Sequence, residues 1–251
     1  MVRSHVKHSP LNNDALLREA DGLELLRSHI QKQSVRYLRI PKLLAVSSAT
    51  LTMERVETNT ASETQMKHLG TGLAMMHGAD HGVFGFSRDN YIGLSVQHNV
   101  WSEDWGAFFL ERRLMAQVNM IEEPQIKREF RQVLASGSSR LMDFLNANCQ
   151  RASLLHGDLW QGNVLFDRSQ VWLIDPAVYY GDSEADLAMT EMFGGFGRAF
   201  YRSYCAHTPL SQQYERKRDI YNLYHYLNHY NLFGPQYLDA CRRGLSAISD
   251  L

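Results

Sequence analysis

Cysteine is scarce in this chain. Only Cys149, Cys205 and Cys241 occur among 251 residues, widely spaced and without a CxxC pair, which argues against a disulfide framework or a cysteine-rich zinc site. An excess of one charge is also lacking. The 26 Lys and Arg nearly cancel the 27 Asp and Glu, so no electrostatic footprint for nucleic acid or an anionic membrane is present. No apolar run approaches the ~18 residues of a membrane span, and the opening MVRSHVKHSPLNND has no apolar stretch of the signal-peptide kind. These absences predict a cytoplasmic protein with neither a nucleic-acid nor a membrane partner. What is present is a globular composition, 44 % hydrophobic and 21 % charged, on a chain long enough for one large domain or two modest lobes.

Between Pro10 and Ile30 the apolar residues Ala15, Leu16, Ala20, Leu23, Leu26 and Ile30 recur at helical spacing, with Asn12 or Asn13 as an N-cap. A short extended piece ends at Val6 and Lys7. After Pro41, KLLAVSSA and TLTMERVE predict two strands of a hairpin. From Ser62 the pattern turns to long helices, SETQMKHLGTGLAMMHG, SEDWGAFFLERRLMAQVNM and EPQIKREFRQVLASGSSRLMDFLNAN. Within 154–178 the pattern changes again: a polar loop, the strand VLF, the turn DRSQ and the strand VWLI lead to Asp175. The remainder is helical, broken by GGFG at 194–197 and FGP at 233–235. The class is therefore α+β, a small strand-bearing lobe followed by a mainly helical one.

Asp158 precedes Asn163 by five residues in HGDLWQGN, and Asn163 opens the hairpin that delivers Asp175. A hairpin returns the chain close to its start, so two carboxylates and an amide oxygen face one small volume. Such hard oxygen donors suit Mg²⁺, and an acid beside them can take the proton of an attacking hydroxyl. That arrangement serves phosphoryl transfer from a nucleotide. An isolated DxxxxN would be an ordinary surface turn; the full string with His156 and the IDPA exit is far more specific.

LLHGDLWQGNVLF followed by WLIDPAVYYGDSEADLAMTEMFGGF resembles the fructosamine kinase (ketosamine 3-kinase) family of the protein-kinase-like fold. The likeness continues through FGFSRDNYIG, Gln97 with Asn99, WSEDWGAFFLERRLMAQ and LYHYLNHYNLFG. It implies a two-lobed fold, with a partial N-terminal lobe over 1–56 and a helical catalytic and substrate lobe over 57–251. It also implies phosphorylation by ATP and Mg²⁺ of the sugar 3-hydroxyl of ketosamines, either small fructosamine or ribulosamine adducts or glycated proteins, and hence deglycation. Residue by residue, Asp158 resembles the catalytic base, Asn163 and Asp175 the Mg²⁺ ligands, Lys7 the phosphate-gripping lysine and Glu19 its helix partner. Backbone around Glu54 and Val56 would meet the adenine. Asp89, Asn90, Gln97, Asn99 and the flat face of Trp160 would lie near the sugar, and Asp186 would brace the catalytic loop.

Family members carry two strands and a glycine-rich loop before the lysine strand; with Lys7 six residues after Met1, the resemblance predicts a site without that flap, through a start placed too far downstream, a truncation or a true variant. Two alternatives accompany the main reading: a kinase of this fold acting on another hydroxyl, and a weakly active or inactive kinase-like binding module. Other signals have plainer readings. His225 and His229 in YNLYHYLNHY, like His77 and His81, predict core packing, because no HExxH glutamate accompanies them. GTGLAM interrupts a helical pattern and predicts helix packing, and GGFG predicts a bend near the cleft.

Overall fold

The computed structural model describes residues 3–10 and 13–251. Strand β1 (Ser4–His8) is followed by helix α1 (Ala15–Lys32), whose inward face is Leu16, Ala20, Leu23, Leu26 and Ile30. The Asn13 side chain accepts a hydrogen bond from Ala15 N at 3.1 Å; Asn12, the other expected cap, lies outside the described residues. Strands β2 (Leu38–Arg39), β3 (Leu43–Val46) and β4 (Thr50–Glu54) come next. The expected hairpin is β3–β4. With β1 it forms an antiparallel sheet of order β1-β4-β3, in which Lys7 stands opposite Leu51. β2 leaves that sheet and pairs in parallel with a strand of the later hairpin, which sequence spacing did not reveal.

Helix α2 (Glu63–His77) starts at a capping box in which Ser62 and Gln65 satisfy each other's backbone N–H groups. Its GTGLAM glycines serve packing, since a Cβ at Gly70 would strike the Phe200 carbonyl. A short hairpin, β5 (Asn90–Ile92) and β6 (Ser95–Gln97), stands where polarity predicts only loop. Three-residue strands are too short to show alternation, and their buried residues include amides rather than hydrophobes alone.

The helical stretch that follows comprises α3 (Trp105–Phe108), a π-helical run (Phe109–Met115) and α4 (Ala116–Met120), before α5 (Pro124–Asn148). Strands β7 (Ser153–Leu155), β8 (Val164–Phe166), β9 (Val171–Leu173) and β10 (Tyr179–Gly181) carry the motif region. β8 and β9 are the expected hairpin, with Val164 opposite Leu173, and β9 is the partner of β2. Helices α6 (Ser183–Glu191), α7 (Arg198–Cys205), α8 (Tyr214–Phe233) and α9 (Leu238–Ser249) complete the chain.

Two hydrophobic clusters form the core. One joins α1, α2, α7 and the β8–β9 hairpin; the other joins the π-helical run, α5, α8 and α9. Successive side chains of a strand point to opposite faces. Accordingly Leu154 enters the first cluster and Leu155 the second, and Val178 and Tyr179 divide in the same way. The loop after β7 and the segment before β10 therefore emerge at the seam between the two cores. Among the described residues no helix is long and apolar enough to cross a membrane.

Candidate active site

The seam is braced from below. Buried Asp186 on α6 accepts hydrogen bonds from His156 N at 2.7 Å, Gly157 N at 2.9 Å and the ring of His77 at 3.2 Å. Burial alone would raise its carboxyl, but these donors outweigh that cost and hold it below the usual range. His156 Nδ1 accepts from Asp158 N and its other ring nitrogen meets the Ile174 carbonyl, so the proton sits on Nε2. Full burial pushes the imidazole pKa down and keeps it neutral. Gly157, at φ +82°, lies so close to the Ala177 carbonyl that a Cβ would collide with it. The bracing role expected of Asp186 is met in these contacts.

Above this layer, Asp158, Asn163, Asp175, Lys7 and Glu19 line one recess. Asn163 Nδ2 donates to the Asp158 carbonyl at 2.8 Å and to its carboxylate at 3.1 Å. Burial pushes the Asp158 carboxyl up to about 7, against the opposing pull of that hydrogen bond, and the nearby Asp175 charge adds to the rise. Asp175 follows β9 at φ +53°, a left-handed conformation that L-residues with side chains seldom hold and that concentrates at functional sites.

Lys7 Nζ bridges Glu19 at 2.8 Å and Asp175 at 3.0 Å. Burial would lower its ammonium pKa, but the two carboxylates outweigh burial and raise it. One cation shared by two acids leaves the more buried acid short of compensation. Glu19 is accordingly pushed up to about 7, chiefly by burial and then by Asp175, and its Oε1 is buried without a partner.

The donor set fits a hard cation. With Nδ2 of Asn163 committed to Asp158, Oδ1 is the atom left for a metal, in the recess that Asp175 also lines. Among the described residues no group of three or more His, Cys, Asp or Glu could hold a metal alone. A cation here would therefore complete its shell with phosphate oxygens and water, as Mg²⁺ does.

The residues expected near the sugar separate. Trp160 stands at the mouth beside Asp158, edge-on to Phe193 at 5.6 Å, and its ring folds over Gly162, where a Cβ would clash. Asn90 borders the recess, but its Nδ2 donates to the Val178 carbonyl at 2.8 Å. Gln97 and Asn99 do not face the cleft. Gln97 is buried, donating to the Ala177 carbonyl and Asn90 and accepting from Tyr224. Asn99 is buried between Asn90 and Arg113. Asp89, just before β5, is bonded to His98 and accepts from Asn99 N. The hydrogen bonds of Gln97, Asn99 and Asp89 are thus spent holding the hairpin and the 177–178 backbone, and none of the three lines the recess around Asp158. At the end of β4, Glu54 N donates to the Lys42 carbonyl, so that N–H is spent in the sheet. Val56 stands past the last rung.

Several residues at or under the site were not singled out by sequence reasoning. Arg113 is fully buried without an acid, its guanidinium 4.0 Å from the Tyr179 ring centroid and bonded to the His98 carbonyl and Asn99. The stretch that includes it, WSEDWGAFFLERRLMAQ, carries the family likeness but does not by itself mark which of its charges is buried. Phe193, Phe233 and Tyr237 gather beside Asp158 and His229; the aromatic density around GGF and NLFGPQY is the clue that could have found them.

An acid-bearing loop, a hairpin that returns an aspartate to it, and a strand lysine paired with a helix glutamate define a phosphotransferase of the protein-kinase-like class. The model of the fructosamine kinase family matches residues 6–250, and the chain belongs to that family as an ATP-dependent kinase. It is 37 % identical over 236 residues to a probable ketoamine kinase of Vibrio vulnificus, covering 92 % of this chain and 79 % of that one. It is also 37 % identical over 240 residues to a chloroplastic protein-ribulosamine 3-kinase of Arabidopsis thaliana, covering 92 % and 70 %. The crystal structure of a putative fructosamine-3-kinase of Thermobifida fusca superposes with a TM-score of 0.84 at 26 % identity, over 100 % of this chain and 86 % of that one. An aminoglycoside phosphotransferase in its streptomycin–ATP complex shares the fold at TM-score 0.63 and 17 % identity, covering 99 % and 85 %.

Proposed function

We propose that the chain transfers the γ-phosphoryl group of ATP to the 3-hydroxyl of ketosamines, either small fructosamine or ribulosamine adducts or the same adducts on proteins. The observation that carries this reading is the half-buried Asp158, held by Asn163 and pushed up to about 7, next to the Lys7–Glu19–Asp175 cluster. A general base works best when its pKa lies near the working pH. Asp158 takes the hydroxyl proton, the sugar oxygen bonds to phosphorus, and the bond from phosphorus to the β–γ bridging oxygen breaks to leave ADP. Lys7 grips the phosphates and Glu19 orients it. Asn163 and Asp175 would hold Mg²⁺, which supplies charge neutralisation on the transferring group. The adenine edge would meet backbone past Glu54, near Val56, with residues 1–56 as the nucleotide side and 57–251 as the catalytic and substrate side. Trp160 offers a stacking face to the sugar, and the chain acts in the cytoplasm as a deglycating enzyme.

The test is phosphate transfer from ATP across ribulosamine, fructosamine, free sugars and amino alcohols. Transfer to the 3-hydroxyl of a ketosamine is expected. Turnover confined to free sugars or amino alcohols would overturn the reading.

A further inference from the structure

Two recesses meet at Asp158 and Trp160. The first holds the charged groups already described. The second runs from these two residues to Phe193, His229, Phe233 and Tyr237. Its rings form a continuous series: Trp160 to Phe193 at 5.6 Å, Phe193 to His229 at 5.6 Å, then His229 to Phe233 at 5.5 Å and to Tyr237 at 5.1 Å. Among the described residues, no Asp, Glu, Lys or Arg lines it apart from Asp158. Burial lowers the pKa of His229, whose Nδ1–H donates to the His225 carbonyl at 2.6 Å, so the wall stays uncharged.

The wall is also exposed. Trp160, Phe193 and Phe233 are 37 %, 40 % and 58 % accessible, large apolar surfaces gathered beside the reacting centre rather than scattered singly. The backbone fixes them there: α8 ends at Gly234 with φ +97°, and the chain turns back to set Tyr237 against Phe233 at 6.2 Å.

We propose that this aromatic recess is the subsite for the substituent on the substrate's amine, and that it selects uncharged apolar or aromatic groups. The inference rests on the ketosamine reading above. With the hydroxyl at Asp158 and the phosphates on the charged side, the amine lies only a few bonds away, and its substituent leaves on the aromatic side. An amino-acid adduct would bring a carboxylate into a recess whose only formal charge is another carboxylate, whereas a phenyl ring would stack on Phe193 and Phe233.

The full chain with ATP and Mg²⁺ would be assayed on three ribulosamines, carrying benzyl, methyl and carboxymethyl groups on the same secondary amine. We expect kcat/KM for the benzyl adduct to exceed that for the methyl adduct about tenfold or more, in line with hydrophobic-pocket discrimination, and the carboxymethyl adduct to be poorest. In Phe193→Ala/Phe233→Ala the benzyl-to-methyl ratio should fall to within about threefold of one. Phe233→Ala alone, at an exposed ring, should lower the ratio even where the double variant does not fold, with melting temperature as the check. Equal turnover of benzyl and methyl adducts, or a preference that survives in the variants, overturns the subsite alone. If no adduct accepts phosphate while another hydroxyl compound does, the ketosamine reading fails and the subsite falls with it.

Discussion

Asp158 and Asp186 stand on two layers of the same seam and have opposite environments. Asp186 is buried, accepts from two backbone N–H groups and His77, and is held below its ordinary pKa. Asp158 is half-buried, receives one side-chain amide besides facing other acids, and is pushed up to about 7. The first is stabilised as an anion that positions a loop; the second is left poised to exchange a proton. The difference shows that donor count, rather than depth alone, sorts structural from reactive carboxylates.

Replacing each aspartate should separate the layers. Asp158→Asn is expected to lower kcat by about 100-fold or more, the range for losing a general base, with no loss of melting temperature. Asp186→Asn should do the reverse in kind, costing about 2–3 kcal/mol of stability because buried backbone N–H groups lose their anionic acceptor. Denaturant unfolding measures it, and a fully stable, inactive Asp186→Asn would collapse the distinction.

Smaller changes sharpen the contrast. Lys7→Ala leaves Glu19 and Asp175 without the cation they share, so kcat/KM for ATP should fall about tenfold or more, as for loss of a positioned charge contact. In the lower layer, Gln97→Ala strands Tyr224 and the Ala177 carbonyl. It should cost about 1–3 kcal/mol and lower activity only as far as the 177–178 backbone shifts. A large change in KM for the ketosamine with unchanged stability would restore Gln97 to the sugar site.

The last comparison is the acid limb of stability. Burial lowers His225 to about 3, whereas an unfolded histidine takes its proton near pH 6.5. Across that window the unfolded state binds more protons, so this group makes stability fall as pH falls, on the order of 1 kcal/mol per pH unit. Asp158 works the other way, since its folded carboxyl takes a proton near 7 and its unfolded one near 3.9. On going from pH 7 to pH 4, urea unfolding should therefore show Asp158→Asn losing more stability, and His225→Gln losing less, than the parent chain. Parallel curves would remove both assignments.

Much of the site was legible because its pieces are local. Asp158, Asn163 and Asp175 are joined by one loop and one hairpin, and a hairpin's closure follows from its turn. Lys7 and Glu19 share the first strand and helix, and only the family resemblance singled them out from other surface charges. Asn90, Gln97 and Asn99 were legible as polar residues of the family likeness, but whether an amide faces a ligand or a carbonyl depends on what packs over it. Here that cover comes from Arg113, Tyr179 and Tyr224, on segments remote in sequence.

By itself, the amino-acid sequence determined the α+β class, the main helices, the β3–β4 and β8–β9 hairpins, the kinase motifs and their family, since periodicity and short-range closure act within one segment. Tertiary structure alone decided the parallel β2–β9 pairing, the conversion of Gln97 and Asn99 into bracing, the opposite environments of Asp158 and Asp186, and the aromatic wall beside the reacting centre. Each of these depends on burial or on contacts between distant segments, and no single segment encodes how much water its side chains will lose.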